Sequence, residues 1–152
     1  EEKKLDFILD IEKNIPKAII IDDVRLRQIL YNIVGNAIKF TNDGKIIMSM
    51  RSLVRSKNTI DLIFSIEDTG IGISESQKDI IYESFKQQEG QNTKKFGGSG
   101  LGLSITKNLI EMMDGSIQME SKVNKGSKFV ITFYNISIES NILNYKQAKA
   151  KL

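Results

Sequence analysis

The sequence predicts an α+β fold, a two-layer sandwich in which a mixed sheet of about five strands carries three helices on one face. Three observations lead there. Period-2 apolar segments recur along the chain, and two pairs of them are joined by hairpin-type turns, Ser56-Lys57-Asn58 and Asn124-Lys125-Gly126. Three segments of helical periodicity interrupt the strands. The chain has 152 residues, 40% hydrophobic and 27% charged. That suits one globular domain, able to bury about two-thirds of the surface its unfolded form exposes.

The elements follow in order. In residues 5–11, Leu5, Phe7, Leu9 and Ile11 alternate with Asp6, Ile8 and Asp10, the pattern of a half-buried strand. Residues 17–21 read as a second strand, with Pro16 in the turn between them. Asp22 or Asp23 caps a helix whose Leu26, Ile29, Leu30, Ile33, Val34 and Ala37 recur at helical spacing and which Asn42-Asp43-Gly44 ends. Two strands follow, at 46–54 and 60–67; in the second, Ile60, Leu62, Phe64 and Ile66 share one face. A short helix over 75–85 leads into a polar segment at about 86–99 that lacks apolar periodicity and reads as a lid. A helix over 101–113 stops near Asp114-Gly115, and strands at 117–121 and 128–134 complete the domain. The domain is expected to span 1–135, with a polar tail over 136–152.

Composition excludes several chemistries. There is no cysteine, so disulfides, thiolate metal sites and cysteine nucleophiles are absent. There is no histidine, which rules out histidine metal sites, Ser/His/Asp triads and a phosphohistidine formed within this chain. The net charge of +3 is mild and the basic residues alternate with acidic ones, so nucleic acid is not an expected partner. Apolar runs reach only three or four residues, which leaves no expectation of membrane contact and a cytoplasmic character.

Three segments carry potential chemistry. On a helical wheel Gln28, Asn32, Asn36 and Lys39 fall within a stripe of about 80°, bordering the apolar face. A solvated face is the plain alternative, but asparagine inside a helix costs about 0.5 kcal/mol or more relative to alanine. Two carboxamides one turn apart offer neutral oxygens to a hard cation such as Mg²⁺ whose other ligands are phosphate and water. Next, Asp68-Thr69-Gly70-Ile71-Gly72-Ile73 follows directly on a strand. A turn accounts for the glycines but less well for the carboxylate. Ionised aspartate is acceptor-only, so beside a base it takes the adenine 6-amino hydrogens and repels the carbonyl oxygen of guanine. Finally, Gly97-Gly98-Ser99-Gly100-Leu101-Gly102-Leu103 opens a helix, where free backbone N–H groups suit an anion such as phosphate, unless it is only a flexible loop. No Gly-Lys-Ser/Thr is present, and Ile105 stands where a dinucleotide fingerprint needs Gly or Ala.

Taken in order, these segments resemble the ATP-binding catalytic domain of sensor histidine kinases, within the larger group that includes gyrase, Hsp90 and MutL. Residues 25–41 look like the N box, Asp68 to Gly72 like G1, Phe85-Lys86-Gln87 like the F box, Gly98 to Gly102 like G2, and Gly126-Ser127-Lys128-Phe129 like the final glycine element. The resemblance covers about residues 5–135 and implies a Bergerat-type fold binding ATP and Mg²⁺. Asn36 is then the metal ligand, Asn32 and Lys39 lie near the phosphates, and Phe40 is a nucleotide contact that is often Tyr. Asp68 binds the adenine amino group, with Gly70, Gly72 and Ile73 around it. Gly98, Ser99, Gly100, Leu101, Gly102 and Leu103 cover the phosphates. Lys94 stands where many members place a lid arginine, keeping the charge but losing the bidentate fork. Phe85 and Phe96 would anchor the lid, although Phe85 is equally readable as core.

The implied reaction is transfer of the ATP γ-phosphoryl to a histidine on a dimerisation domain outside this chain, with a response regulator or receiver domain downstream. The tail after Ile136 either leads into a receiver domain, as in hybrid kinases, toward which the lid resemblance leans, or ends the piece. The rivals are an ATP-hydrolysing clamp of the gyrase or Hsp90 type, a serine kinase of the anti-sigma type, and a degenerate nucleotide module used for protein interaction. Clamp enzymes place a water-activating Glu at the position matching Asn32, and Asn is a poor general base.

Overall fold

The computed structural model describes residues 3–86 and 100–139, with side chains at all of these except 82–86, 100 and 101. The elements run β1 (Lys4–Ile11), β2 (Ile19–Ile20), α1 (Asp23–Phe40), β3 (Asp43–Val54), β4 (Thr59–Asp68), α2 (Glu75–Lys86), α3 (Gly100–Met112), β5 (Gly115–Lys122) and β6 (Gly126–Ile138). They form the expected sandwich. The sheet order is β1-β3-β4-β6-β2, with β5 also paired to β6. β1 joins β3 in parallel and the other pairings are antiparallel, so five long strands and the two-residue β2 make one mixed sheet.

Helix α1 begins where Asp22 accepts a hydrogen bond from the Arg25 N–H at 3.0 Å, and Asp23 adds a negative charge in the first turn. It ends at Phe40, two residues before the expected Asn-Asp-Gly stop, because Thr41 turns extended while its N–H still reaches the Ala37 carbonyl. The helix buries Ile29, Ile33 and Ala37 against Ile60, Leu62, Phe64 and Ile66 of β4 and Ile131 and Phe133 of β6. Each fully buried aliphatic or aromatic side chain there contributes about 1.5–3 kcal/mol. Phe64 and Phe133 meet edge to face with centroids 6.3 Å apart. Helix α3 adds Ile110 to this core, and α2 lies against α3.

Three sequence expectations need correction. β1 is not half-buried: Phe7 is 48% exposed, Leu9 61% and Ile11 55%. Alternation fixes which face the side chains share, but α1 and α3 lie over β4 and β5, so no described helix covers the β1 flank. The second strand, expected at 17–21, is only Ile19–Ile20, and it pairs with β6 at the opposite end of the sheet path from β1. β6 runs on to Ile138, where Ser137 and Ile138 pair with Ile20 and Ile19. Residues 136–138, expected in the tail, therefore belong to the sheet.

A bulge explains how β6 keeps its pairing so far. Ile60 pairs with Ile136 and Leu62 with Phe133, so Tyr134 and Asn135 both lie opposite Asp61. Asn135 takes φ +54°, and its N–H donates to Asp61 Oδ1 at 3.0 Å. The other Asp61 oxygen accepts from Arg55 Nε at 2.7 Å. This ion pair holds the Asp61 carboxyl below its usual range, against the opposing effect of burial. A lowered folded-state pKa means stability that is present above the unfolded value of about 3.9 and lost as pH falls through the folded one. Asp61→Ala should cost about 1–3 kcal/mol, because the bulge N–H loses its acceptor. Urea unfolding at pH 7 and pH 3 should show that difference shrinking in acid; an equal gap at both pH values would sink this account.

Candidate functional site

The end of β4 and the end of α1 meet at one carboxylate. Asp68 is the last residue of β4 and only 7% exposed. Its Oδ1 accepts from the Gly70 N–H at 2.8 Å and from the Thr41 hydroxyl at 3.4 Å. Burial raises the Asp68 carboxyl above the ordinary carboxylate range, while bonds from Gly70, Ser127 and Thr41 pull the other way. A buried carboxylate held by backbone donors makes a strong acceptor for an N–H ligand.

The loop after Asp68 is fastened on both sides. The Ile71 N–H donates to the Phe40 carbonyl at 3.2 Å, and the Ile71 carbonyl accepts from Asn124 N–H at 2.7 Å. The Ile73 N–H donates to Ser121 Oγ at 2.8 Å. At Gly70 there is no space for a side chain: a Cβ would lie 2.4 Å from the Phe40 carbonyl oxygen and 2.8 Å from Asp68 Oδ1. The glycines that a turn alone explains in sequence thus have a second reason, close approach of α1 and of the β5–β6 hairpin.

At the other end of the polar stripe, Asn32 ties α1 to α3. Its Nδ2 donates to the Gly102 carbonyl at 2.6 Å and to the Thr106 hydroxyl. Gly102 is tight here too, since an added Cβ would sit 3.0 Å from Asn32 Oδ1. Asn36 is half-buried, and its carboxamide has no hydrogen-bond partner among the described residues. Lys39 is exposed, with its ammonium 5.2 Å from the centroid of the Phe40 ring. From Asn32 to Phe40 the helix rises about 12 Å, a span along which a nucleotide can lie.

A sequence profile of the histidine kinase-, DNA gyrase B- and HSP90-like ATPases matches residues 21–135. The chain belongs to this family of ATP-binding domains. Among its members, it is 47% identical over 132 residues to hybrid signal transduction histidine kinase A of Dictyostelium discoideum, covering 82% of this chain and 6% of that protein. It is 40% identical over 134 residues to the autoinducer 2 sensor kinase/phosphatase LuxQ of Vibrio parahaemolyticus, covering 87% and 16%. It is 37% identical over 140 residues to the histidine-protein kinase BarA of Escherichia coli, covering 92% and 15%. The chain thus spans under a fifth of the length of these relatives. Among solved structures, full-length ShkA in complex with AMPPNP superposes with a TM-score of 0.68 at 26% identity, covering 89% of this chain and 26% of that one. The catalytic domain of histidine kinase ThkA gives 0.65 at 28%, covering 86% and 79%. Within the family the chain is a domain of the histidine-kinase type, and nothing in these likenesses favours a gyrase or Hsp90 clamp.

As an ATP-binding domain it has a site that fits the nucleotide. The Asp68 carboxylate is an acceptor and suits an amino edge such as adenine's, and the Asn36 carboxamide, with no hydrogen-bond partner among the described residues, suits a cation ligand. Structure brings Phe40, Asp68 and Gly70 together, and Asn32 with Gly102. Gly72 and Ile73 anchor the loop: a Cβ at Gly72 would lie 2.1 Å from the Lys122 carbonyl oxygen, and its φ is +69°. Gly100, Leu101 and Leu103 lie in the first turn of α3. Lys94, Phe96, Gly98, Ser99 and the expected lid lie outside the described residues. Motif reading placed Thr41 at the end of the N-box resemblance without a role of its own, and did not single out Ser121. A threonine after a helix and a serine in a strand carry no local signal of contacts across 27 and 48 positions.

Proposed function

We propose that this domain binds ATP with Mg²⁺ and donates the γ-phosphoryl to a histidine on a separate dimerisation domain, as half of a protein-histidine kinase. The observation that carries the reading is Asn32. Its amide donates to two acceptors on α3 and so is committed to joining the helices. It has no basic lone pair with which to activate water, which favours transfer over hydrolysis. The chain contains no histidine, so the acceptor lies on another domain. In this proposal Asp68 reads the adenine amino group, Lys39 faces the phosphates, and Asn36 would hold Mg²⁺. When bound there, the metal would neutralise charge on the phosphate oxygens. The protein's share is position and electrostatics.

The likeness to hybrid kinases supports a receiver domain or response regulator as the downstream partner, and a need for ATP together with the lack of cysteine favours a cytoplasmic setting. Calorimetry should show saturable ADP and ATP binding that strengthens with Mg²⁺ and weakens in Asn36→Ala. The domain alone should form no acid-labile phosphoprotein until a histidine-bearing dimerisation domain is supplied. Self-phosphorylation of this chain, or fast turnover of ATP to ADP, would overturn the reading.

A further inference from the structure

We infer that Thr41 is a positioning residue for adenine recognition, holding the Asp68 carboxylate in place from the end of α1. The inference rests on the reading of Asp68 as the adenine acceptor.

Thr41 is fully buried, at 0% exposure, although it lies just beyond a helix end where the chain usually meets water. Its three polar groups are each directed. The backbone N–H caps α1 through the Ala37 carbonyl at 3.1 Å. The carbonyl accepts from the Lys3 ammonium at 3.1 Å. Neither bond needs a hydroxyl, because any residue supplies a backbone N–H and a carbonyl. The hydroxyl reaches a different element, donating to Asp68 Oδ1. That oxygen also accepts from Gly70, so the hydroxyl and the loop N–H fix the carboxylate from two sides. The same hydroxyl would lie 2.8 Å from a Cβ at Gly70, so it packs directly against the loop that follows Asp68.

The hydroxyl therefore does two things for a ligand that donates an N–H to Asp68. It sets the rotation of the carboxyl group, and it favours the ionised form that can only accept. Among the described residues, these charged groups lie near Asp68 and its partners. Glu67, next along β4, disfavours ionisation. Lys128 on β6 lies 3.8 Å from the Glu67 carboxylate, and Lys3, ahead of β1, faces the Thr41 carbonyl. Removing the hydroxyl leaves burial and Glu67 less opposed, so Asp68 should take up a proton at higher pH.

The test uses the chain as it stands, with ADP as probe in calorimetry from pH 4.5 to 8. Thr41→Val keeps the volume and loses the donor. It should bind ADP about three- to tenfold more weakly at pH 7, the size of one net hydrogen bond. Its affinity should also fall away at a higher pH than in the wild type. Thr41→Ser should restore both the affinity and the pH profile. A Thr41→Val protein with wild-type affinity and an unmoved acid limb would overturn the proposal. If circular dichroism shows that Thr41→Val does not fold, Thr41→Ala and Thr41→Ser are compared in the same titration. Weaker binding with a raised acid limb in the alanine variant alone supports the role, and equal profiles overturn it. Asp68→Ala run alongside separates the two failures. If it binds ADP as the wild type does, the adenine reading falls and the role of Thr41 with it. If it loses ADP while Thr41→Val does not, only the role of Thr41 falls.

Discussion

Asp68→Ala should weaken ADP binding by about 1.5–3 kcal/mol, roughly ten- to a hundredfold or a little more, because a charged and buried acceptor is removed from beneath the base. The same change removes a desolvated carboxylate but leaves the Gly70 N–H and the Thr41 hydroxyl without their acceptor, so at pH 7 the stability of the fold should change little. Burial raises the Asp68 carboxyl above its unfolded value. The native state then holds the proton more tightly than the unfolded chain does. Stability contributed by this group is greatest below the unfolded pKa and falls as pH rises through the window up to the folded value. At pH 7 ionisation of this side chain costs more in the folded state than in the unfolded chain, a cost partly offset by the bonds from Gly70, Ser127 and Thr41. Asp61 behaves in the opposite sense, since its ion pair lowers its pKa and its contribution is lost in acid. Calorimetry with ADP, paired with thermal scans at pH 5 and pH 7, reads both halves. Unchanged ADP affinity in Asp68→Ala would mean that the carboxylate only closes the end of β4.

Gly126→Ala is expected to produce the largest loss of stability among single-methyl changes at the site. Gly126 has φ +95°, a region that costs a residue with a side chain on the order of 1–3 kcal/mol. Its added Cβ would lie 1.8 Å from the Asp68 carbonyl oxygen and 3.0 Å from the Thr69 Cα. Both are backbone atoms that cannot rotate aside, so β6 must shift away from β4 beside Asp68. The expected result is a Tm lowered by about 2–12 °C, at roughly 2–4 °C per kcal/mol for a chain of this size, and weaker ADP binding with it. Gly35→Ala is the internal control. Nothing lies within 4 Å of a Cβ there, and the position is inside α1, so alanine should raise stability by up to about 1 kcal/mol. If Gly126→Ala melted and bound ADP as the wild type does, the hairpin would have to be free of the Asp68 strand.

The candidate site was legible in sequence where its residues break a local rule. Asn32 and Asn36 stand inside a helix that glutamate or lysine would suit better, and a carboxylate followed by two glycines ends a strand. Those departures are local and need no partner to be noticed. What Asn32 does with its amide was not legible, because Gly102 and Thr106 lie 70 and 74 positions away and only the packing of α1 on α3 brings them within reach. The contact of Thr41, the last residue of the N-box resemblance, was not legible for the same reason. Its hydroxyl gains meaning only when the end of β4 arrives beside it.

The sequence by itself determined the mixed sheet with its helices, the order of the elements and the absence of a histidine from this chain. These follow from periodicity, turn chemistry and residue type, which are properties of neighbouring residues. Only the tertiary structure decided that β1 is an exposed flank, that β6 carries a bulge fastened by Asp61, and that a buried threonine at the end of one helix holds the carboxylate at the end of a distant strand. Burial and pairing depend on which surfaces meet, and a pattern along the chain specifies the faces it offers without naming what will cover them.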